Sequence, residues 1–131
     1  MTRDVLRSTL PAPKRKYRNV KRQVEGVTFD STGELGRWMQ LCLMQEAGEI
    51  HSLERQVPFI LCPPVRLVGE SRASSIRFVA DFVYLTKDGK RIIEDWKGID
   101  LPVARLKRRL MKHIHGVDVV VTGPAARKRA A

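Results

Sequence analysis

Residues Arg77 to Gly98 read RFVADFVYLTKDGKRIIEDWKG, two β-branched and aromatic runs joined by a turn, and the geometry of that turn fixes which side chains meet. Two closures fit the residues. A two-residue Asp88-Gly89 turn pairs Lys87 with Lys90, sets Asp81 opposite Trp96 and sends Asp95 to the other face of the pleat. A type I turn followed by a left-handed Gly89, the three-residue hairpin with a G1 bulge, pairs Thr86 with Lys90 and brings Asp81 to face Asp95. In this second register Val79, Asp81 and Val83 share a face with Ile93, Asp95 and Lys97, while Phe78, Phe82 and Tyr84 line the other with Ile92, Glu94 and Trp96. Like charges opposed on a sheet cost roughly 0.2–1 kcal/mol, and more when buried, so folding alone gives no reason for such a pair. A divalent cation between the two carboxylates reverses the sign. The competing reading from the residues alone is two ordinary solvated aspartates.

An Asp, a hairpin turn and then Asp-Trp-Lys together resemble the PD-(D/E)XK nuclease superfamily, in which an Asp and an acidic-X-Lys triplet sit on adjacent strands. More narrowly, the chain is similar to a group of short phage-encoded proteins placed in that superfamily and long known only as a domain of unknown function. The likeness runs over most of the chain, through Lys16-Tyr17, GVTFDSTGELGRW, EAGEIHSLERQVPF, FVADFVYLTKDGKRIIEDWKG and the basic helix that follows. Ala80 stands where the superfamily's name has proline, a position that is loosely kept. The resemblance implies that Asp81 and Asp95 are the metal-binding carboxylates. It implies that Lys97 positions the attacking water or stabilises charge on the transition state. It also implies that Glu34 is a further, often water-mediated, metal contact, and that Gln56 matches a polar residue on the first strand of related nucleases. Glu34 has a second explanation, because Ser31-Thr32-Gly33-Glu34 is a capping box. The two are compatible, since an N3 carboxylate sits near the positive end of the helix dipole. Gln56 reads equally as a half-buried strand residue. Carboxylate oxygens suit Mg²⁺ or Mn²⁺, and Mg²⁺ usually takes one or two protein carboxylates while keeping waters and substrate phosphate.

The charge distribution points to a nucleic-acid partner. The net charge of +11 is concentrated at the ends: residues 1 to 25 hold eight basic and two acidic side chains, and residues 101 to 131 hold eight and one. Residues 26 to 100 hold nine against eleven. Basic flanks around an acidic centre suit a protein that grips DNA phosphates at its periphery and holds a cation in its middle. The expected contacts are Lys14, Arg15, Lys16, Arg18, Lys21 and Arg22 in the first flank, and Arg105, Arg108, Arg109 and Lys112 on one face of the last helix. The first group lacks the interleaved apolar stripe of an interfacial membrane helix.

With 131 residues and 43% apolar content, the chain is expected to form one core. Residues 1–15 read as a flexible basic arm, 16–122 as a single nuclease-like domain and 123–131 as a basic tail. The helix after the capping box is apolar almost all round from Leu35 to Ala47 and is expected to be buried, ending at Gly48. A strand over 56–61 is expected to stop at Pro63-Pro64. Asp100 is expected to cap a helix with Val103, Leu106, Leu110 and Ile114 as its inner stripe, and Val117 to Val121 to close the sheet. The order helix, three strands, helix, strand fits the α/β class, as an α/β/α sandwich around a central mixed sheet. The resemblance makes this sandwich restriction-endonuclease-like. No run approaches the roughly 20 apolar residues of a membrane span, and the N-terminus lacks a secretory apolar run, so the expected location is the cytoplasm of a bacterial host. Cys42 and Cys62 are expected to be reduced.

The expected function is Mg²⁺-dependent DNA hydrolysis. With no separate domain to read sequence, the chain is expected to recognise DNA structure, such as the branched or Holliday-junction intermediates of replication and recombination. Symmetric cutting of a junction needs two active sites, which points to a homodimer. Two other classes compete: a non-catalytic DNA-binding protein on a nuclease scaffold, and a small phage protein that binds a host factor.

Overall fold

The structure, a computed structural model, describes residues 22–24, 27–29 and 31–126. The chain divides into two compact units between Leu43 and Met44. In the first, β1 (Arg22–Val24) and β2 (Val27–Phe29) form an antiparallel pair, with Val24 opposite Val27. This pair raises the strand count above the expected four. Three-residue strands are too short to display the alternation by which a strand is read from sequence.

Helix α1 (Thr32–Glu46) starts where the capping box predicts: Ser31 Oγ accepts the Glu34 amide at 3.1 Å, and the Leu35 amide reaches Ser31 O at 3.2 Å. Gly48, in the left-handed region at φ +79°, ends it as expected. The helix is not buried on all sides. Glu34 and Leu41 are buried, but Met39 and Leu43 are exposed, and Arg37 bonds Gln40 at 2.8 Å on the surface.

The second unit is built on a four-stranded mixed sheet in the order β3 (Ile50–Val65), β4 (Ser74–Thr86), β5 (Arg91–Trp96), β6 (Val119–Thr122). The first two pairings are antiparallel and the last is parallel, with α2 (Pro102–His115) as the crossover. Strand β3 runs through Pro58, Pro63 and Pro64 instead of stopping at them. It is an edge strand, and a proline whose nitrogen faces away from its single partner removes no ladder hydrogen bond. Leu61, Phe78, Ala80, Val83, Ile93 and Met111 form the core cluster.

The β4–β5 hairpin takes the bulged register. Phe82 faces Glu94, Val83 faces Ile93, Tyr84 faces Ile92 and Leu85 faces Arg91, with no slip. The Gly89 amide bonds Thr86 O at 2.9 Å, the Thr86 amide bonds Lys90 O at 2.8 Å, and Gly89 has φ +86°. Thr86 Oγ1 also donates to Asp88 Oδ1 at 2.7 Å. That bond, the Asp88 amide and the nearby Lys90 lower the Asp88 pKa from the ordinary 3.8, so its contribution to the turn is lost only as pH falls below that value. Nothing lies within 4 Å of a Cβ built at Gly89. Gly89→Ala should therefore cost only the left-handed penalty, about 1–2 kcal/mol, read as a lower denaturation midpoint at unchanged m-value. A loss well above this range would mean that the hairpin cannot hold its register without glycine.

Helix α2 departs from expectation at its start and on its faces. Its N-cap is Leu101, with no side-chain cap, and Pro102 occupies the first turn, where no amide partner is needed. Asp100 instead pairs with Arg108, Oδ2 to Nη2 at 2.6 Å. Of the expected inner stripe Leu110 does pack on the core with the fully buried Met111, but Val103, Leu106 and Ile114 are exposed, and the Asp100–Arg108 pair is itself largely buried. Among the described residues no helix is long and apolar enough to cross a membrane.

Candidate active site

The last β4–β5 pair is Phe82 with Glu94, so Asp81 and Asp95 are the next residues on their strands, and the Asp81 side chain takes the backbone amide that follows Asp95. The flanking β3 pairs, Arg55 with Phe82 and Val57 with Ala80, put Gln56 level with Asp81. Across three strands the sequence positions 56, 81 and 95 thus form one row, and Lys97 follows two residues after Asp95.

Each member of the row is fixed by a neighbour. Asp81 Oδ2 accepts the Trp96 backbone amide at 2.8 Å, and Asp81 Oδ1 accepts Gln56 Nε2 at 3.1 Å. Gln56 has φ +55°, which in a non-glycine residue inside a strand costs of order 1–3 kcal/mol and persists only where its surroundings impose it. Such strain collects at functional sites. The sequence marked Gln56 as a polar strand residue, but nothing in it signals a left-handed backbone.

Asp95 is buried, and Lys97 Nζ lies 3.1 Å from its Oδ2. The approach does not meet hydrogen-bond geometry, so among the described residues Asp95 Oδ2 is a buried carboxylate oxygen with a counter-charge nearby and no donor. Water reaches the pair from the lysine side: the Lys97 side chain is 29% exposed and that of Asp95 only 3%. A buried oxygen left without a donor suits a cation, which needs a lone pair and no proton. Among the described residues no group of three or more His, Cys, Asp and Glu side chains is arranged to hold a metal ion. Two carboxylates, with water and phosphate completing the shell, are what a hard cation such as Mg²⁺ ordinarily takes.

Lys97 is held at its backbone by the end of β6 and the turn that follows it. Its amide donates to Thr122 O at 2.9 Å, and its carbonyl accepts the Ala125 amide at 3.1 Å. Residues 124–126 form one helical turn, with Ala125 buried. On the opposite face of the hairpin, Tyr84 OH donates to the buried Glu94, a carboxylate one residue from Asp95.

Glu34 lies in the first unit, buried, with its amide on Ser31. On α2, Arg105 Nη1 donates to Asp100 O at 2.7 Å, Arg108 holds Asp100, Lys112 pairs with Asp118 at 2.9 Å, and Arg109 is exposed. Lys14, Arg15, Lys16, Arg18 and Lys21 lie outside the described residues, as do the expected arm and residues 127–131; Arg22 is placed by its backbone in β1.

Fold and site define a mixed α/β protein with a carboxylate and lysine cluster across an open four-stranded sheet. The chain belongs to the family described as a protein of unknown function, DUF1064, which matches residues 14–122. No curated protein matches it.

Proposed function

We propose that this protein is a Mg²⁺- or Mn²⁺-dependent DNA endonuclease of the PD-(D/E)XK kind, with a restriction-endonuclease-like core and a preference for branched DNA. The observation that carries the reading is the row Gln56, Asp81, Asp95 with Lys97 beside it, in which a buried Asp95 oxygen lacks a donor. Asp81 and Asp95 are the residues to hold the cation. When bound, the ion supplies a polarised water and positive charge against the phosphoryl oxygens. Gln56 and the Trp96 amide orient Asp81 by occupying one lone pair on each of its oxygens. The half-exposed ammonium of Lys97 faces the solvent side from which a phosphate arrives, where it can oppose growing negative charge. Net charge and basic flanks supply the sequence-independent attraction to the DNA backbone.

The test is incubation with linear duplex, single-stranded, flap and four-way-junction DNA in Mg²⁺ or in chelator. Cutting is expected only with the metal, and Asp81→Asn is expected to lower it by about 10² or more, assayed well below its melting temperature, because it removes a carboxylate charge from the cation; a lower melting temperature accompanies this, since the amide presents a donor toward the Gln56 or Trp96 donor. No cutting of any substrate, with binding retained in chelator, would favour a DNA-binding protein on a nuclease scaffold. An Asp81→Asn protein as active as the parent would reject this site.

A further inference from the structure

Strand β5 covers only the lower part of β4, and what lies beyond it has a different character. The pairs of β4 with β5 run from Phe82 to Leu85, whereas those with β3 continue through Phe78 and Ile76 to Ser74 opposite Val65. Past Asp81, therefore, β3 and β4 continue with no third strand beside them among the described residues; Leu61, Phe78 and Ala80 still pack on the core, and residues 63–77 are exposed throughout. The seven steps from Asp81 to Ser74 carry the far end of this ribbon roughly 20 Å along the strand. Register shifts after Ile60 and Cys62 add local twist.

The tip of this ribbon is a built turn. The Glu70 amide bonds Leu67 O at 3.0 Å, and Gly69 sits at φ +92°. Glu70 Oε1 accepts the Leu67 amide at 3.0 Å, which stitches the turn a second time. The result holds two apolar side chains out in water: Val68 is fully exposed and Leu67 is 63% exposed. Leaving two such groups outside a fold is unfavourable unless something covers them. Arg66, Arg72 and Arg77 flank them, all exposed, and Glu70 is the one acid from Arg66 to Arg77.

We propose that this ribbon is a DNA-contacting arm whose tip wedges Val68 and Leu67 into the base stack where the stack is already interrupted, at a nick, a branch or a junction. Its arginines hold the phosphates on either side. Charge complementarity selects the occupant: a second copy of the chain would bring like-charged tips together, whereas a phosphate backbone matches them. Opening an intact stack costs a few kcal/mol per step, and this cost falls where pairing or stacking is already broken, so an apolar wedge selects interrupted DNA without reading a base. The tip is too far from Asp81 to join the chemistry. The proposal rests on the endonuclease reading for its purpose, since it names what that site would be directed to, but not for its test.

Binding is measured in chelator, where no cutting occurs, by fluorescence anisotropy with intact duplex, nicked duplex and a four-way junction; 2-aminopurine at the nick or branch reports unstacking. The parent protein should bind interrupted DNA more tightly and raise the 2-aminopurine signal. Leu67→Ser/Val68→Ser should lose that preference, roughly tenfold or more, with intact-duplex affinity and melting temperature unchanged. Arg66→Ala/Arg72→Ala should weaken all three DNAs together and flatten the salt dependence, by about 0.9 in log–log slope per lost phosphate contact. The assignment is overturned if the parent shows no preference, or if the serine pair keeps it. It is equally overturned if the serine pair abolishes self-association in sedimentation, or binding to phosphatidylserine vesicles, while DNA preference is untouched. A protein that cuts nothing in Mg²⁺ but prefers junctions through Val68 keeps the arm and loses the nuclease; one that cuts with the preference intact in the serine pair does the reverse.

Discussion

Lys97→Ala should cut DNA about 10²–10³-fold more slowly in saturating Mg²⁺, the loss that follows removal of a single pre-positioned charge donor from a phosphoryl or acyl transfer site. The same substitution removes, among the described residues, the cation that lies beside a carboxylate only 3% exposed. Breaking a fully buried ion pair costs roughly 3–5 kcal/mol, an upper limit here because the lysine side chain keeps 29% of its exposure. The variant should therefore melt below the parent in chelator, and divalent metal should restore more stability to it than to the parent, because the ion then supplies the missing counter-charge. Two measurements check this: single-turnover cleavage, and thermal unfolding with and without Mn²⁺. A variant that is slow but gains no more from metal than the parent would place the cation away from Asp95. Arginine at 97 keeps the charge and loses the compact ammonium, so Lys97→Arg should recover the stability in chelator without the rate.

The hairpin was legible because its determinants are local. Thr86, Asp88 and Gly89 specify a bulged turn within four residues, and that turn sets the register whose last pair, Phe82 with Glu94, leaves Asp81 and Asp95 next on their strands. The start of α1 at Ser31 was legible for the same reason. What failed was set by tertiary partners. The spacing on α2 predicts an inward stripe, which holds at Leu110 but not at Val103, Leu106 or Ile114, while the polar Arg108 is largely buried on its pair with Asp100. Pro63-Pro64 was read as a stop, and only the edge position of β3 makes those residues tolerable within a strand. Gln56 could be named from the resemblance, but its left-handed backbone and its bond to Asp81 depend on a strand pairing across 25 residues. The support of Lys97 by the end of β6 and the turn after it had no sequence signal, because Thr122 and Ala125 act through their backbones.

That support yields the second large effect, at Gly123. A Cβ at this position would lie 2.7 Å from the Lys97 carbonyl oxygen and 2.9 Å from the Trp96 ring, and the residue has φ +89°. Gly116, at the end of α2, also has a left-handed backbone, φ +71°, but a Cβ there meets nothing within 4 Å. Gly116→Ala should therefore cost only the conformational penalty of about 1–2 kcal/mol. Gly123→Ala carries that penalty plus an overpacking cost of roughly 1–3 kcal/mol, because the atom it strikes is backbone and cannot rotate away. For a chain of this size each kcal/mol lowers the melting temperature by about 3–5 °C, so the two alanine variants should separate in a thermal scan. The strain falls on the residue that carries the proposed catalytic ammonium and on the neighbour whose amide holds Asp81. Folded Gly123→Ala protein, assayed well below its melting temperature, should thus cut more slowly than Gly116→Ala protein at equal metal. Equal destabilisation by the two substitutions would show that the chain after β6 does not press on Lys97, and equal cutting rates would show that the placement of that lysine does not depend on it.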